Sequence, residues 1–329
     1  MQRTFWIPAG LIALLQAPAA VVAIELSSPI GCQLGIDCFI QNYVDTDPSP
    51  SWRDFNCGGL TYDGHDGTDF RLRNFVEMQR GVEVRAAAAG TVAGVRDNVP
   101  DQGLSDTEGI RNRECGNGVL IDHEDGWQTQ YCHLKRQSVV VVPGQSVKAG
   151  TVLGQVGFSG KTEFPHLHLT VRHRGTVIDP FTAQPSANGV CGASQGAGLW
   201  RSESAPTYTA TALLGSGFTT ELPTAEGVRR GQFSENKGSR SAQQLAVWVD
   251  IMGVRARDLL RVVISGPAGE VLFRNDAEFD APKVLAFKYV GKRLASGLWP
   301  SGTYTADLEL VRDAKAILKE SHTLRIDPD

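Results

Sequence analysis

Four short stretches of this chain carry residue types suited to metal-assisted hydrolysis: His65-Asp66-Gly67-Thr68-Asp69, Tyr131-Cys132-His133-Leu134, Pro165-His166-Leu167-His168 and Val177-Ile178-Asp179-Pro180. The first and third supply two imidazoles and a carboxylate, a donor set that holds a catalytic zinc and leaves one coordination position for water. The second and third supply spare imidazoles able to move a proton or steady a developing oxyanion. Four of the seven histidines lie in these stretches.

The elements that position them follow from local patterns. His166 and His168 are two residues apart on a predicted strand, so both project to one face while Leu167 and Leu169 project into a core. Gly67-Thr68 is a turn-permissive pair between His65 and Asp69, able to bend the chain so that both reach one point. Each stretch alone is weak: HxxxD recurs by chance, and HxH is only somewhat better. Their order, with glycine-rich spacing between them, carries the weight.

From Asn56 to about Ala183 the pattern is short β segments punctuated by glycine, over 81–86, 90–95, 139–142, 146–148, 152–156 and 168–172, with no amphipathic helix among them. Val119–Asp122 and Gln128–Tyr131 read as a hairpin around His123-Glu124-Asp125-Gly126. If Asp122 faces Asp125, that register sets Cys115 opposite Cys132, and a disulfide between them is expected. Residues 97–114 read as a long insertion loop forming a wall of a cleft. A Gly/Ser/Thr/Ala-rich stretch, with a candidate strand over Thr207–Leu214 inside it, then precedes a second β pattern. There Tyr304, Ala306, Leu308 and Leu310 alternate with polar residues, and further strands are expected around 260–264, 271–273, 285–289 and 318–326.

Length and composition frame this reading. The 329 residues, 41% apolar and 21% charged, describe a folded chain of about two domains. A formal charge of −4 gives no basic footprint for nucleic acid. Arg3 and the apolar run Phe5–Ala23, with small residues at Ala19 and Ala23, read as a cleavable signal peptide, leaving no stable membrane span. The alternative of an anchoring helix is disfavoured by Pro8 and Pro18, and Cys32 lacks a lipoprotein box. Six cysteines without a CxxC pair then suit disulfides in a secreted or periplasmic protein.

From about Gly64 to Pro180 the sequence resembles the lysostaphin-type zinc endopeptidases that cut cell-wall peptides. The likeness rests on His65-x-Gly67-x-Asp69-Phe70, Gly81…Val84-Arg85-Ala86-Ala87, Gly90-Thr91-Val92, Gly116-Asn117-Gly118-Val119, Tyr131-Cys132-His133-Leu134, Gly157-Phe158-Ser159-Gly160, Pro165-His166-Leu167-His168 and Asp179-Pro180. The resemblance implies one zinc per chain held by His65, Asp69 and His168. It implies that His133 and His166 act on the reacting water and the tetrahedral intermediate, and it leaves open which of them takes the proton. It also implies a mainly β fold, an antiparallel β-sheet catalytic domain with the site in a groove, here followed by a β-sandwich-like domain. The expected organisation is a signal peptide over 1–23, the peptidase domain with its lead-in over 24–195, a linker over 196–242 and the sandwich over 243–329.

Two departures stand out. Cys132 replaces the small residue usual before that histidine and is expected to face away from the site if His133 faces it. The 96–114 loop is also longer than the family minimum. Zinc D,D-carboxypeptidases would need a wider His-to-Asp spacing and a catalytic Glu, for which Glu163 is poorly placed. The expected function is hydrolysis of peptidoglycan stem peptides or cross-bridges. The competing readings are a non-catalytic protein of the same fold that regulates another wall hydrolase, and a structural zinc site in a binding module. His123 is expected to be solvated, His173 to sit at a polar strand end and His322 to be an ordinary strand residue. Asn117 and Tyr131 are expected either to line the groove or to serve structure.

Overall fold

The computed structural model describes residues 23–105, 110–192, 198–233 and 236–328. All of the expected signal peptide except Ala23, and residues 106–109 of the long loop, lie outside these. Among the described residues, no helix is long and apolar enough to cross a membrane.

The first half builds strands β1 (Cys38–Asn42), β2 (Thr68–Leu72), β3 (Glu83–Arg85), β4 (Gly90–Arg96), β5 (Asn117–Asp122), β6 (Trp127–Leu134), β7 (Ser146–Val147), β8 (Val152–Gln155), β9 (His166–His173), β10 (Thr176–Asp179) and β11 (Gln184–Pro185). Their main sheet runs β1-β2-β9-β6-β5-β4-β7, with β10 and β11 appended to β9 and the β3–β8 pair forming a separate small sheet. Every pairing among these strands is antiparallel. Leu167, Leu169 and Val171 of β9 point into one apolar core with Phe70 and Leu72 of β2 and Tyr131 of β6. The opposite face of β9 carries His166, His168, Thr170 and Arg172.

The lead-in does more than strap the domain. Its β1 is the edge strand beside β2, and Cys32–Cys38 closes the loop before it. Cys57–Cys191 joins the lead-in to the far end of the domain, 134 residues later. Residues 139–142 form no strand, contrary to the β pattern. Val141 is buried and Val140 N–H bonds to Leu153 O, but no ladder develops before Pro143-Gly144 turns the chain. A helix absent from the sequence reading, α1 (Phe75–Arg80), follows β2; the Asn74 side chain caps it by accepting from Glu77 N–H. Six residues are too few to display a helical period.

The Cys115–Cys132 disulfide forms, but not through the expected register. Gln128 opposes Asp122, three residues on from the assumed partner, and the ladder shifts between Asn117 and Val119. Cys115 instead precedes β5 and folds back over β6, with His133 N–H donating to its carbonyl at 2.8 Å. Gly118 makes room, since a Cβ there would lie 2.4 Å from Tyr131 O and 3.0 Å from Cys115 Sγ.

The second half contains β12 (Ala212–Thr219), α2 (Ala225–Arg229), β13 (Lys237–Gly238), β14 (Gln244–Val254), β15 (Leu259–Ser265), β16 (Val271–Glu278), β17 (Lys283–Arg293), β18 (Gly302–Arg312) and β19 (Lys315–Ile326). A β12-β14-β17 sheet faces a β13-β19-β18-β15-β16 sheet across a core that includes Val247, Val249, Ile251, Val262, Ile264, Tyr304 and Leu308. The stretch read as a linker contributes a sheet strand, shifted toward the C-terminus from the candidate over Thr207–Leu214. Ala212 and Leu214 of that strand, with Met252 of β14, pack into the core of the first half.

Candidate metal centre

β9 supplies two imidazoles because period-2 alternation puts His166 and His168 on one face, and its neighbours bring the rest by register. Asp69 of β2 is the cross-strand partner of His168, and Arg71 is that of His166. His65 sits in the turn entering β2. Gly64, at φ 73°, makes that turn. Gly67 has a different role from the expected one: a Cβ there would stand 2.4 Å from His168 Nε2, so glycine is needed for close approach.

His65, Asp69, His133 and His166 are all buried, and His168 nearly so. His65 Nε2 lies 3.2 Å from Asp69 Oδ2 and 3.3 Å from His168 Nδ1, and His168 Nδ1 lies 2.9 Å from Asp69 Oδ1. Two donors each about 2.05 Å from a tetrahedral zinc are separated by about 3.3 Å, so these three side chains fit the ion. A second group, His133, His166 and His168, also places one ligand atom per residue within 4.8 Å of the others. It shares His168 but lacks an anionic donor.

Hydrogen bonds orient each ring. His65 Nδ1–H donates to Tyr43 O at 2.6 Å, His133 Nδ1–H to Ser159 O at 2.8 Å, and His166 Nδ1–H to Phe164 O at 2.9 Å. Each ring thereby turns its Nε2 toward the site. His168 is reversed: its Nε2 faces Asp66 Oδ1 at 3.2 Å and its Nδ1 faces the other donors. Burial works against charge on the His168 ring, but Asp66 and then Asp69 outweigh it and push its pKa up to about 9. Burial raises the Asp69 carboxyl, but His65 and His166 overcome this and hold it well below the usual carboxylate range. His133 is pushed well below the ordinary imidazole value by burial, then by the adjacent His166 and His168.

His133 reaches the site by breaking strand alternation. Cys132 is the cross-strand partner of His168 and therefore shares the ligand face, contrary to the expectation that it faces away. His133 then adopts φ 64°, in the left-handed region, and this brings its ring to 4.6 Å from His166 and 5.9 Å from His168. Cys132 and His133 both line a groove of about 230 Å³ together with Tyr62, Asp66, Glu114, Lys161 and Arg172.

Several of these residues escaped the sequence reading. Asp66 holds His168 and is itself held by Arg172 Nη2 at 3.3 Å, while Arg172 Nη1 donates to Gln130 Oε1 at 2.8 Å. The Tyr62 ring lies 4.4 Å from that of His65. Arg71 is buried, stacks at 4.6 Å on Phe164, and Phe164 backs His166 at 4.5 Å. The available signal for Arg172 was its parity with His166 and His168 on β9.

The remaining histidines serve structure. His123 is half-buried rather than fully solvated: its Nδ1 meets Ala89 O at 2.6 Å and its Nε2 meets Thr129 Oγ1 at 2.8 Å. His173 stacks on Trp127 at 4.5 Å. His322 lies in β19. Asn117 is buried and ties Val99 and Leu134 together, and the Tyr131 hydroxyl caps Ala87 N–H within the core.

The chain is 35% identical over 104 residues to the cell division protein DipM of Caulobacter vibrioides, covering 32% of this chain and 15% of that protein. It is 30% identical over 127 residues to the peptidoglycan DD-endopeptidase ShyA of Vibrio cholerae, covering 38% of this chain and 24% of that one. The match thus spans less than a quarter of either relative. The catalytic domain of lysostaphin from Staphylococcus simulans aligns at 26% identity with a TM-score of 0.28, covering 38% of this chain and 84% of that one. Residues 63–180 match Peptidase family M23, and over that stretch, which holds His65, Asp69, His133, His166 and His168, the chain carries an M23 peptidase domain.

Proposed function

We propose that this chain is an exported zinc endopeptidase that hydrolyses peptide bonds in peptidoglycan stem peptides or cross-bridges. The observation that carries the reading is the convergence of three imidazoles, those of His65, His166 and His168, on the Asp69 carboxylate, with His65, Asp69 and His168 at zinc-compatible separations. His65 Nε2, Asp69 and His168 Nδ1 hold the metal. This set is preferred over the all-histidine group because it includes an anionic donor and leaves two imidazoles for proton transfer. Bound there, zinc would supply Lewis acidity, making hydroxide available near neutral pH and polarising the scissile carbonyl.

The protein's own groups do the rest. His133 and His166, with rings 4.6 Å apart, flank one reaction zone. One accepts the proton of the attacking water; the other, protonated, donates toward the developing oxyanion and then the leaving amine. Ser159 O and Phe164 O keep each ring turned toward that zone. Burial of both rings excludes bulk water from their far sides. Three disulfides suit an oxidising, extracytoplasmic compartment.

The test is zinc analysis of the purified protein with mass mapping of peptidoglycan digested with and without chelator. New amine termini that vanish on chelation and return with zinc support the proposal. Zinc-loaded, folded protein that binds peptidoglycan but creates no new termini would establish the non-catalytic, regulatory reading instead.

A further inference from the structure

The groove at the metal centre continues across the sheet. A second hollow of about 190 Å³, lined by Gly94, Arg96, Gly118 and Leu120, adjoins it, and Cys115 and Gln130 border both. Register sets this hollow in line with the ligands. Cys132 of β6 is the cross-strand partner of His168 in β9. Gly118 of β5 falls between the pairs Asn117–Leu134 and Val119–Tyr131, level with Cys132. Arg96 of β4 is in turn the partner of Gly118. His168, Cys132, Gly118 and Arg96 therefore form one row across four strands. They share the face opposite the core that holds Val119, Tyr131 and Leu169. Three strand spacings separate His168 from Arg96, about 14 Å, which an extended peptide covers in about four residues.

Local chemistry keeps this path open. Gly94 and Gly118 put no side chain into it, and a Cβ on Gly94 would meet nothing within 4 Å. The Cys115–Cys132 disulfide lies along the row, with Cys115 Sγ 3.0 Å from where a Cβ on Gly118 would stand. Gln130 is held at the junction, accepting from Arg172 Nη1 at 2.8 Å and donating to Cys115 Sγ at 3.6 Å. At the far end Arg96 Nη1 donates to Gly116 O at 3.2 Å, which anchors the guanidinium.

Charge then selects what the path accepts. Its charged lining residues are Asp66, Arg96, Glu114, Lys161 and Arg172. Asp66 and Arg172 pair with each other. Arg96 and Lys161 form no ion pair among the described residues. They flank the segment Glu114-Cys115-Gly116, where Lys161 N–H donates to Glu114 O at 2.8 Å. Two cations against the single carboxylate of Glu114 leave the path positive, which favours an anionic group on the ligand. A guanidinium suits a carboxylate best, because its fork can give two parallel hydrogen bonds. Building on the peptidase reading, we infer that Arg96 is a specificity residue that receives a free substrate carboxylate about four residues from the scissile bond. The site then prefers acidic stem peptides to uncharged bridges such as oligoglycine.

The test compares a cross-linked muropeptide bearing free carboxylates with the same compound after carbodiimide amidation. Hydrolysis by the whole zinc-loaded protein is followed by chromatography, and affinity by calorimetry on His133→Ala. The acid is expected to be favoured about fivefold over the amide in KM and in affinity. Arg96→Gln is expected to erase that preference at the parent's zinc content, and Arg96→Lys, which keeps the charge, to retain most of it. Equal handling of acid and amide by the parent protein would overturn the inference. So would an undiminished preference in Arg96→Gln. If folded, zinc-loaded protein cleaves neither compound, the peptidase reading fails, and the two affinities still decide the carboxylate site.

Discussion

Asp66 Oδ1 stands 3.2 Å from His168 Nε2, on the side of the imidazole opposite the metal donors. The carboxylate takes the outer N–H, fixes the tautomer and raises the basicity of the inner nitrogen. Asp66→Asn is therefore expected to lower zinc affinity about 10- to 100-fold with the fold intact. Competition against a chromophoric chelator measures this, and unchanged affinity would assign Asp66 to the Arg172 ion pair alone.

Metal uptake should release a proton. Between Asp66 and Asp69 the metal-free His168 ring is held charged with a pKa of about 9, and a ligand nitrogen must be bare. At pH 7 zinc binding is expected to expel about one proton, visible as a dependence of calorimetric heat on buffer ionisation enthalpy. The sign for the metal-free fold is the reverse of a depressed acid: the contribution of this group is complete below the ordinary imidazole value and is lost as pH rises through about 9.

Ligand and proton-transfer roles separate by substitution. Asp69→Ala or His168→Ala should abolish zinc binding and hydrolysis together. His133→Ala should keep zinc while turnover falls about 10²- to 10⁴-fold. Metal content and muropeptide release, measured on the same preparations, distinguish the two outcomes.

The Cys115–Cys132 bridge closes 17 residues, a loop whose cross-link is worth about 3 kcal/mol. Replacing both cysteines by serine should lower the melting temperature. It should also reduce turnover more than zinc affinity, because His133 N–H is anchored on Cys115 O. Thermal melts alongside kcat and chelator competition test this.

Asp179 offers a pH test remote from the metal. Burial pushes its carboxyl up to about 7 from an ordinary 3.8, so ionising it costs stability as pH rises through that interval. Asp179→Asn keeps an oxygen for Phe181 N–H, now accepted at 2.8 Å. It should stabilise the protein by about 1–4 kcal/mol at pH 8, with the gain disappearing near pH 4 in denaturant titrations.

Much of the centre was legible along the chain. Residue type alone placed two imidazoles and a carboxylate in neighbouring motifs, and strand alternation alone put His166 and His168 together with their backs to Leu167 and Leu169. These are local properties, set by backbone geometry that repeats every two residues. Cys115 and Cys132 were also paired correctly, although through a register that the ladder does not have.

Tertiary structure decided what alternation and spacing leave open. Register puts Cys132 on the ligand face, and the left-handed φ of His133 brings its ring to the same side, with its N–H held by Cys115 O. Tyr43 O, from a lead-in with no metal-ligand motif, selects the tautomer of His65; Asp66 does so for His168 across 102 residues of chain. β12, within a stretch whose composition resembles a linker, contributes side chains to both apolar cores. Hydrogen bonds and packing of this kind depend on which distant segments meet, and no periodicity in the sequence encodes that.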